Sequence, residues 1–306
     1  MPGTVRTIRL FTLILLASFG VRADNCAGTL QAKAGDTLTA FAVQYLGDAD
    51  YAPAILLATN ATYQFIPNPD NLSAGAKICI PDRSVASALR AQYEPYLRAI
   101  AVAAEPHPRD VNAGVLQKVP AGPATVVSWT RDARAKQLGA PGKGPLPAPF
   151  EIWVTLVPHL HDFCSAYVQD HGYDEAALTR RLEQRLGLPP GAGDTVFVEL
   201  KVQDPSTGLF RPCADPAVNV ADCPAAPPAP ASKDYQEWFF TQYYNSYATA
   251  LPWQYPWTAL GYTFDWATDD KGTLARYGES EFVIHKGAAI EVLADKPLSS
   301  YCQPGQ

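Results

Sequence analysis

Apolar and polar positions recur with different periods along this chain, and the changes of period divide it. An apolar run, Leu10 to Ala17, follows Arg6 and Arg9. Leu30 to Lys33 alternates as a short strand would. Leu38, Phe41, Ala42 and Tyr45 then fall at the spacing of one helix face, with Asp36 as the expected N-cap and Gly47 as the stop. Pro53 to Ala58 predicts a second short helix closing at Asn60, and Lys77 to Ile80 a returning strand stopped by Pro81. The order is strand, helix, helix, strand over residues 28–82.

Residues 83–124 read as a helix and a linker. Ser84 is the expected cap, and Val85, Leu89, Tyr93, Tyr96, Leu97 and Ile100 form an apolar face interrupted at Pro95. The stretch 105–123 is rich in Pro, Gly and Ala. From 125 to 303 the pattern predicts a larger α+β domain. Residues 151–157 and 195–202 are buried-strand runs, and 289–293 alternates like a half-buried strand. Asp174 starts a helix lined by Leu178, Leu182 and Leu186. Asp234 and Glu237 resemble a capping box ahead of Trp238. Residues 139–149 and 224–230 read as surface loops. The fold class is therefore α+β, a small βααβ module followed by a larger domain.

Composition adds a compartment. The two arginines, the short apolar run and Val21-Arg22-Ala23 predict a cleavable signal peptide over residues 1–23. The run falls short of the roughly 20 apolar residues a spanning helix needs. No later segment suits a stable membrane span. Cleavage removes three arginines and takes the net charge from −6 to −9. An acidic chain without a basic stripe is not steered to nucleic acid or anionic lipid. An exported protein, periplasmic or secreted and associated with the cell envelope, is expected.

Gly35-Asp36-Thr37-Leu38, Asn60, Asn68-Pro69-Asp70-Asn71-Leu72 and Gly75 to Pro81 together resemble a LysM module. That family holds N-acetylglucosamine-containing glycans such as peptidoglycan or chitin. The resemblance implies a shallow groove between two loops. One would be Gly35, Asp36, Thr37 and Leu38; the other Phe65, Ile66, Pro67, Asn68, Pro69 and Asp70. Ala32 stands where the family often has a larger β-branched residue, and Ala61 where it often has proline.

The six cysteines are even in number, and fifteen pairings are open to them. Cys26 and Cys79 bracket the module, Cys213 and Cys223 flank a short loop, and Cys164 and Cys302 remain. Bridges at these three pairs would leave no thiolate nucleophile.

Reactive motifs are sparse in the larger domain. His159-Leu160-His161-Asp162 could ligate zinc only if extended and joined by a third ligand. A solvated turn is the expectation, and neither a metal nor a cofactor is. Glu279-Ser280-Glu281 locally resembles the paired-glutamate segment of ADP-ribosyltransferases, against an expected exposed acidic turn. Thirteen aromatic residues lie between Tyr235 and Trp266. They read mainly as core, with Trp253, Tyr255 and Trp257 as surface candidates. The expected function is glycan binding through the N-terminal module, with a C-terminal domain of unassigned task. The alternative is an enzyme localised by that module, a cell-wall hydrolase or an ADP-ribosyltransferase-like transferase, with Glu279, Glu281, His159 and His161 as candidate catalytic residues.

Overall fold

A computed structural model describes residues 26–63, 66, 68–111, 113–224, 231–247 and 254–305. The expected signal peptide and Trp253 lie outside the described residues, as does most of the loop at 224–230.

The N-terminal part pairs β1 (Cys26–Gln31) antiparallel with β2 (Lys77–Pro81). Between them run α1 (Leu38–Phe41), a π-helical turn (Ala42–Leu46) and α2 (Ala52–Thr62). Thr37, not Asp36, caps α1 by accepting from the Ala40 N–H. Asp36 closes the preceding turn by accepting from the Lys33 N–H at 2.7 Å. The π turn adds a residue per turn and shifts the apolar face. Leu46 is therefore buried and Tyr45 is 45% exposed, reversing the regular-helix expectation. Leu38, Ile55 and Ile78 are fully buried at the centre of this small core. Cys26 and Cys79 bridge its two strands.

The next helix, α3 (Arg83–Ala104), is capped by Asp82, which accepts from the N–H groups of Ser84 and Val85. A carboxylate one residue earlier outcompetes the expected Ser84 cap. Pro95 sits inside the helix without ending it. Ala86 and Leu89 pack into the N-terminal core, while Tyr93, Tyr96, Ala99 and Ile100 pack with Phe264 and Trp266 of the larger domain. The helix thus belongs to both cores. A short helix α4 (Pro108–Val111) follows, and its buried Asp110 pairs with Arg276.

The larger domain is built on an antiparallel sheet of eight strands. They are β3 (Ala124–Thr130), β4 (Leu146–Pro147), β5 (Ile152–Leu156), β6 (Val196–Val202), β7 (Leu209–Phe210), β8 (Tyr262–Thr268), β9 (Leu274–Ile284) and β10 (Ala289–Pro297). The order is β4-β10-β6-β3-β5-β9-β7, with β8 also paired to β9. Alternation gives the sheet two faces. Val126, Ile152, Val154, Leu200, Phe282 and Ile290 fill one.

On the other face Val127, Trp129 and Phe197 lie under two helices, α5 (His159–His171) and α6 (Glu175–Arg185). Asp174 caps α6 as expected, and Leu178 and Leu182 are buried. The same face is also covered by α7 (Lys233–Tyr247) and the chain leading into β8. Ser232, not an Asp234–Glu237 box, caps α7, its Oγ accepting from the Tyr235 N–H at 3.2 Å. Disulfides Cys164–Cys302 and Cys213–Cys223 complete the three expected pairs. No helix among the described residues is long and apolar enough to cross a membrane.

Asn60 is one of the side chains that tie the two parts together. Asn60 Nδ2 donates to the Gly191 carbonyl at 3.1 Å, and Asn60 Oδ1 accepts from the Ile66 N–H at 3.0 Å. Asn60→Ala should lower unfolding free energy by about 1–3 kcal/mol, because both partners lose a part-buried hydrogen bond. Asn60→Asp, which sets a carboxylate oxygen against the Gly191 carbonyl in place of the donor, should cost at least as much. Urea denaturation of the three proteins would check this; equal midpoints would refute it.

Candidate functional site

The two loops assigned to a groove do meet. The Leu38 N–H donates to the Pro69 carbonyl at 3.0 Å, and the Leu72 N–H to the Asp36 carbonyl at 3.2 Å. Gly35, Asn68 and Asp70 are exposed, and Asp36, Thr37 and Pro69 partly so. Leu38 and Ile66 are buried at 0% and 5% exposure, so they support the face from beneath and cannot touch a sugar on it. Phe65 and Pro67 lie outside the described residues. Gly35 adopts φ +88°, a left-handed turn that glycine tolerates without strain.

His159 and His161 lie in the first turn of α5, not in a turn or strand. Two residues apart on a helix, they point in different directions. His159 is exposed, and His161 packs edge-on against Tyr301. Among the described residues no group of three His, Cys, Asp or Glu side chains could hold a metal ion.

The paired glutamates are not an exposed turn. They lie on β9, 3% and 6% exposed, and they separate into two roles. Glu279 accepts from Arg185 Nε at 2.7 Å, a buried ion pair that fastens α6 to the sheet. Gly278 beside it makes that approach possible, since a Cβ there would come within 2.3 Å of the Arg185 carbonyl oxygen. Glu281 instead faces a cavity of about 530 Å³ between the sheet and the chain leading into β8.

Strand register builds the floor of this cavity. Val127 pairs with Thr155, and Thr155 with Glu281, so three adjacent strands contribute one row. Trp129 and Trp153 stand beside that row, and Ser246, Tyr255 and Trp257 close it from α7 and the segment after it. Trp257 is 8% exposed, which removes it from the surface candidates, whereas Tyr255 is 47% exposed. Asp194, Arg131 and Arg134 mark another part of the lining.

Four buried polar atoms around the cavity have no hydrogen-bond partner in the protein: Trp129 Nε1, Thr155 Oγ1, Trp257 Nε1 and Glu281 Oε1. Burial pushes the Glu281 carboxyl up to about 8; the Trp257 indole, close enough to act on the carboxyl as a donor but outside good hydrogen-bond geometry, and the Arg211 charge offset this only in part. Burial likewise raises half-buried Asp194 to about 7, against the pull of Arg131 and Arg134. At neutral pH the floor of the cavity therefore carries an uncharged carboxylic acid, able to donate as well as accept.

Glu281 was visible in the sequence as half of an acidic pair. Trp129, Thr155 and Asp194 were not. Thr125 to Trp129 is rich in β-branched residues and would have marked β3 as a strand, but nothing local marks its side chains as cavity lining. Comparison with protein-family models, curated proteins and solved structures gives no match.

The raised Glu281 pKa has a signed consequence. Unfolded, the side chain ionises near its ordinary value of about 4.3, whereas folded it holds its proton to about 8. Its contribution to stability is present below the unfolded pKa and is lost as pH rises between the two values. Glu281→Gln removes this slope. The variant should gain on the wild type between pH 5 and pH 8 by on the order of a few kcal/mol, measured by denaturant unfolding at both pH values. Glu183 and Asp194 titrate in the same range but are common to both proteins. Parallel pH dependences would show that Glu281 is not a buried acid.

Proposed function

We propose that this is an exported cell-envelope protein that binds N-acetylglucosamine-containing glycan, such as peptidoglycan, through a LysM-like module at residues 28–82. The observation that carries this reading is the pair of hydrogen bonds between the loops, from the Leu38 N–H to the Pro69 carbonyl and from the Leu72 N–H to the Asp36 carbonyl, which makes one continuous face of both. The antiparallel strand pair, the two helices between them and the Cys26–Cys79 bridge supply a rigid support for that face. Three disulfides are compatible with an oxidising compartment. A single shallow face binds weakly, so retention on an insoluble polymer is the suitable measurement.

The full chain should sediment with insoluble peptidoglycan. Asn68→Trp sets a bulky ring on the exposed loop without entering the core, and should reduce the retained fraction about tenfold, roughly 1.4 kcal/mol. Equal retention of both proteins would sink the assignment of this face.

A second reading, a glycan-directed hydrolase, is favoured by one observation: Glu281 keeps its proton near neutral pH inside a cavity, as a general acid must. Soluble fragments should then be released from labelled peptidoglycan by the wild type and not by Glu281→Gln. No release by the wild type would remove this reading.

A further inference from the structure

The cavity over β3, β5 and β9 takes no part in the binding assigned to the N-terminal module. Its lining is unusual in one respect. Elsewhere in the molecule buried carboxylates are matched by donors. Asp265 takes both arms of Arg181 at 3.0 and 2.7 Å, Glu183 accepts from the Gly191 and Ala192 N–H groups, and Glu279 takes Arg185. Around the cavity this matching fails four times, on side chains that are each more than nine-tenths buried: Trp129, Thr155, Trp257 and Glu281. An unpaired buried polar atom costs about 1–3 kcal/mol, and of the eight such atoms among the described residues four belong to side chains of this one lining.

We propose that this cavity is a second binding site, for a neutral saccharide held by the indole N–H groups of Trp129 and Trp257, the Thr155 hydroxyl and the Glu281 carboxyl. The ligand class follows from the donor set. Two indole N–H groups oppose an ammonium ion. An anion would need a cation to meet it, and the cations of the lining, Arg131 and Arg134, are those acting on Asp194. Hydroxyl groups, which donate and accept, satisfy all four atoms at once. The wall carries flat rings, Trp153 standing edge-on to Trp257 at 6.3 Å, and such rings suit the apolar faces of a pyranose. A volume of about 530 Å³ is ample for a short saccharide and falls within the usual range of small-ligand sites. The site holds whether or not the ligand is turned over, and it is independent of the N-terminal glycan face.

The test uses the full chain labelled with ¹⁵N, with N,N′-diacetylchitobiose and cellobiose as probes. All six tryptophans lie outside residues 26–81. A sugar bound only to the N-terminal module therefore leaves the cavity indole signals in place, and the two sites fail separately. The indole resonances of Trp129 and Trp257, assigned with Trp129→Phe and Trp257→Phe, should shift saturably with at least one probe. Glu281→Gln, which keeps a neutral donor, should bind within about threefold of the wild type at pH 6, whereas Glu281→Leu should lose about tenfold. Raising the pH to 9 should weaken the wild type and leave Glu281→Gln unchanged. Should Glu281→Leu fail to fold, that pH comparison decides alone. Unmoved indole signals with both probes, or equal pH dependence in wild type and Glu281→Gln, would overturn the proposal.

Discussion

Trp266 is the side chain through which the two parts of the molecule and the rim of the cavity are held in one arrangement. It is fully buried. Its ring meets Tyr96 of α3 edge-on at 5.7 Å, and the Arg180 guanidinium lies over it at 5.2 Å. Its indole N–H is shared between the carbonyls of Glu183 and Leu188, at 3.1 and 2.9 Å. The Glu183 carbonyl, in the last turn of α6, also accepts from the Leu188 N–H at 2.9 Å, so the indole and the following loop close the helix end together. One residue thus seals a helix terminus, anchors the loop that follows it and receives the helix that leaves the N-terminal core.

The loop after α6 shows how that constraint propagates. Glu183 is 4% exposed and accepts from the N–H groups of Gly191 and Ala192 at 2.9 and 3.0 Å. Gly191 in turn offers its carbonyl to Asn60, and Leu186, Gly187, Leu188 and Asp194 line the cavity. The same loop therefore meets Asn60 at Gly191 and lines the cavity with its neighbouring residues. Arg180 adds a bond to the Gln92 carbonyl at 2.9 Å, and Tyr96 one to the Gln254 carbonyl at 2.8 Å. These are hydrogen bonds of part-buried groups, worth more in geometry than in net stability.

Against this economy Glu281 stands out. Elsewhere a buried carboxyl is met by a guanidinium or by two amides, although at Glu183 burial still lifts the carboxyl to about 8. At Glu281 the balance is struck by keeping the proton, at the cost of leaving an oxygen unmatched. Arg211, on the other side of β9, is itself fully buried; its two terminal nitrogens donate to Ser280 and to the carbonyls of Gly261, Gln117 and Val218, while its Nε–H has no partner. It stabilises the sheet edge without neutralising the cavity. Arrangements of this kind cluster where proteins bind or react.

Much of the framework was legible along the chain. Periodicity marked β5, β6, β10, the helix after Asp174 and the order of elements around Gly35, because those segments bury one face and their patterns record it. Cysteine positions suggested the three bridges, two by the segments they bracket and Cys164–Cys302 as the pair that remained. Cap positions shifted by a residue or two at Asp82, Thr37 and Ser232, where a local hydrogen bond outcompeted the expected one. His159 and His161 became a helix start, and the Glu279–Glu281 turn became a buried strand, because tertiary burial overrode local polarity. The sequence by itself determined the α+β class, an even set of six cysteines and a local resemblance around Gly35, all of which rest on local pattern and spacing. Only the tertiary structure decided that α3 serves both cores and that Trp129, Thr155, Trp257 and Glu281 surround one cavity. Those residues are brought together by strand register and by chain returning across the sheet, and no spacing along a single chain encodes that meeting.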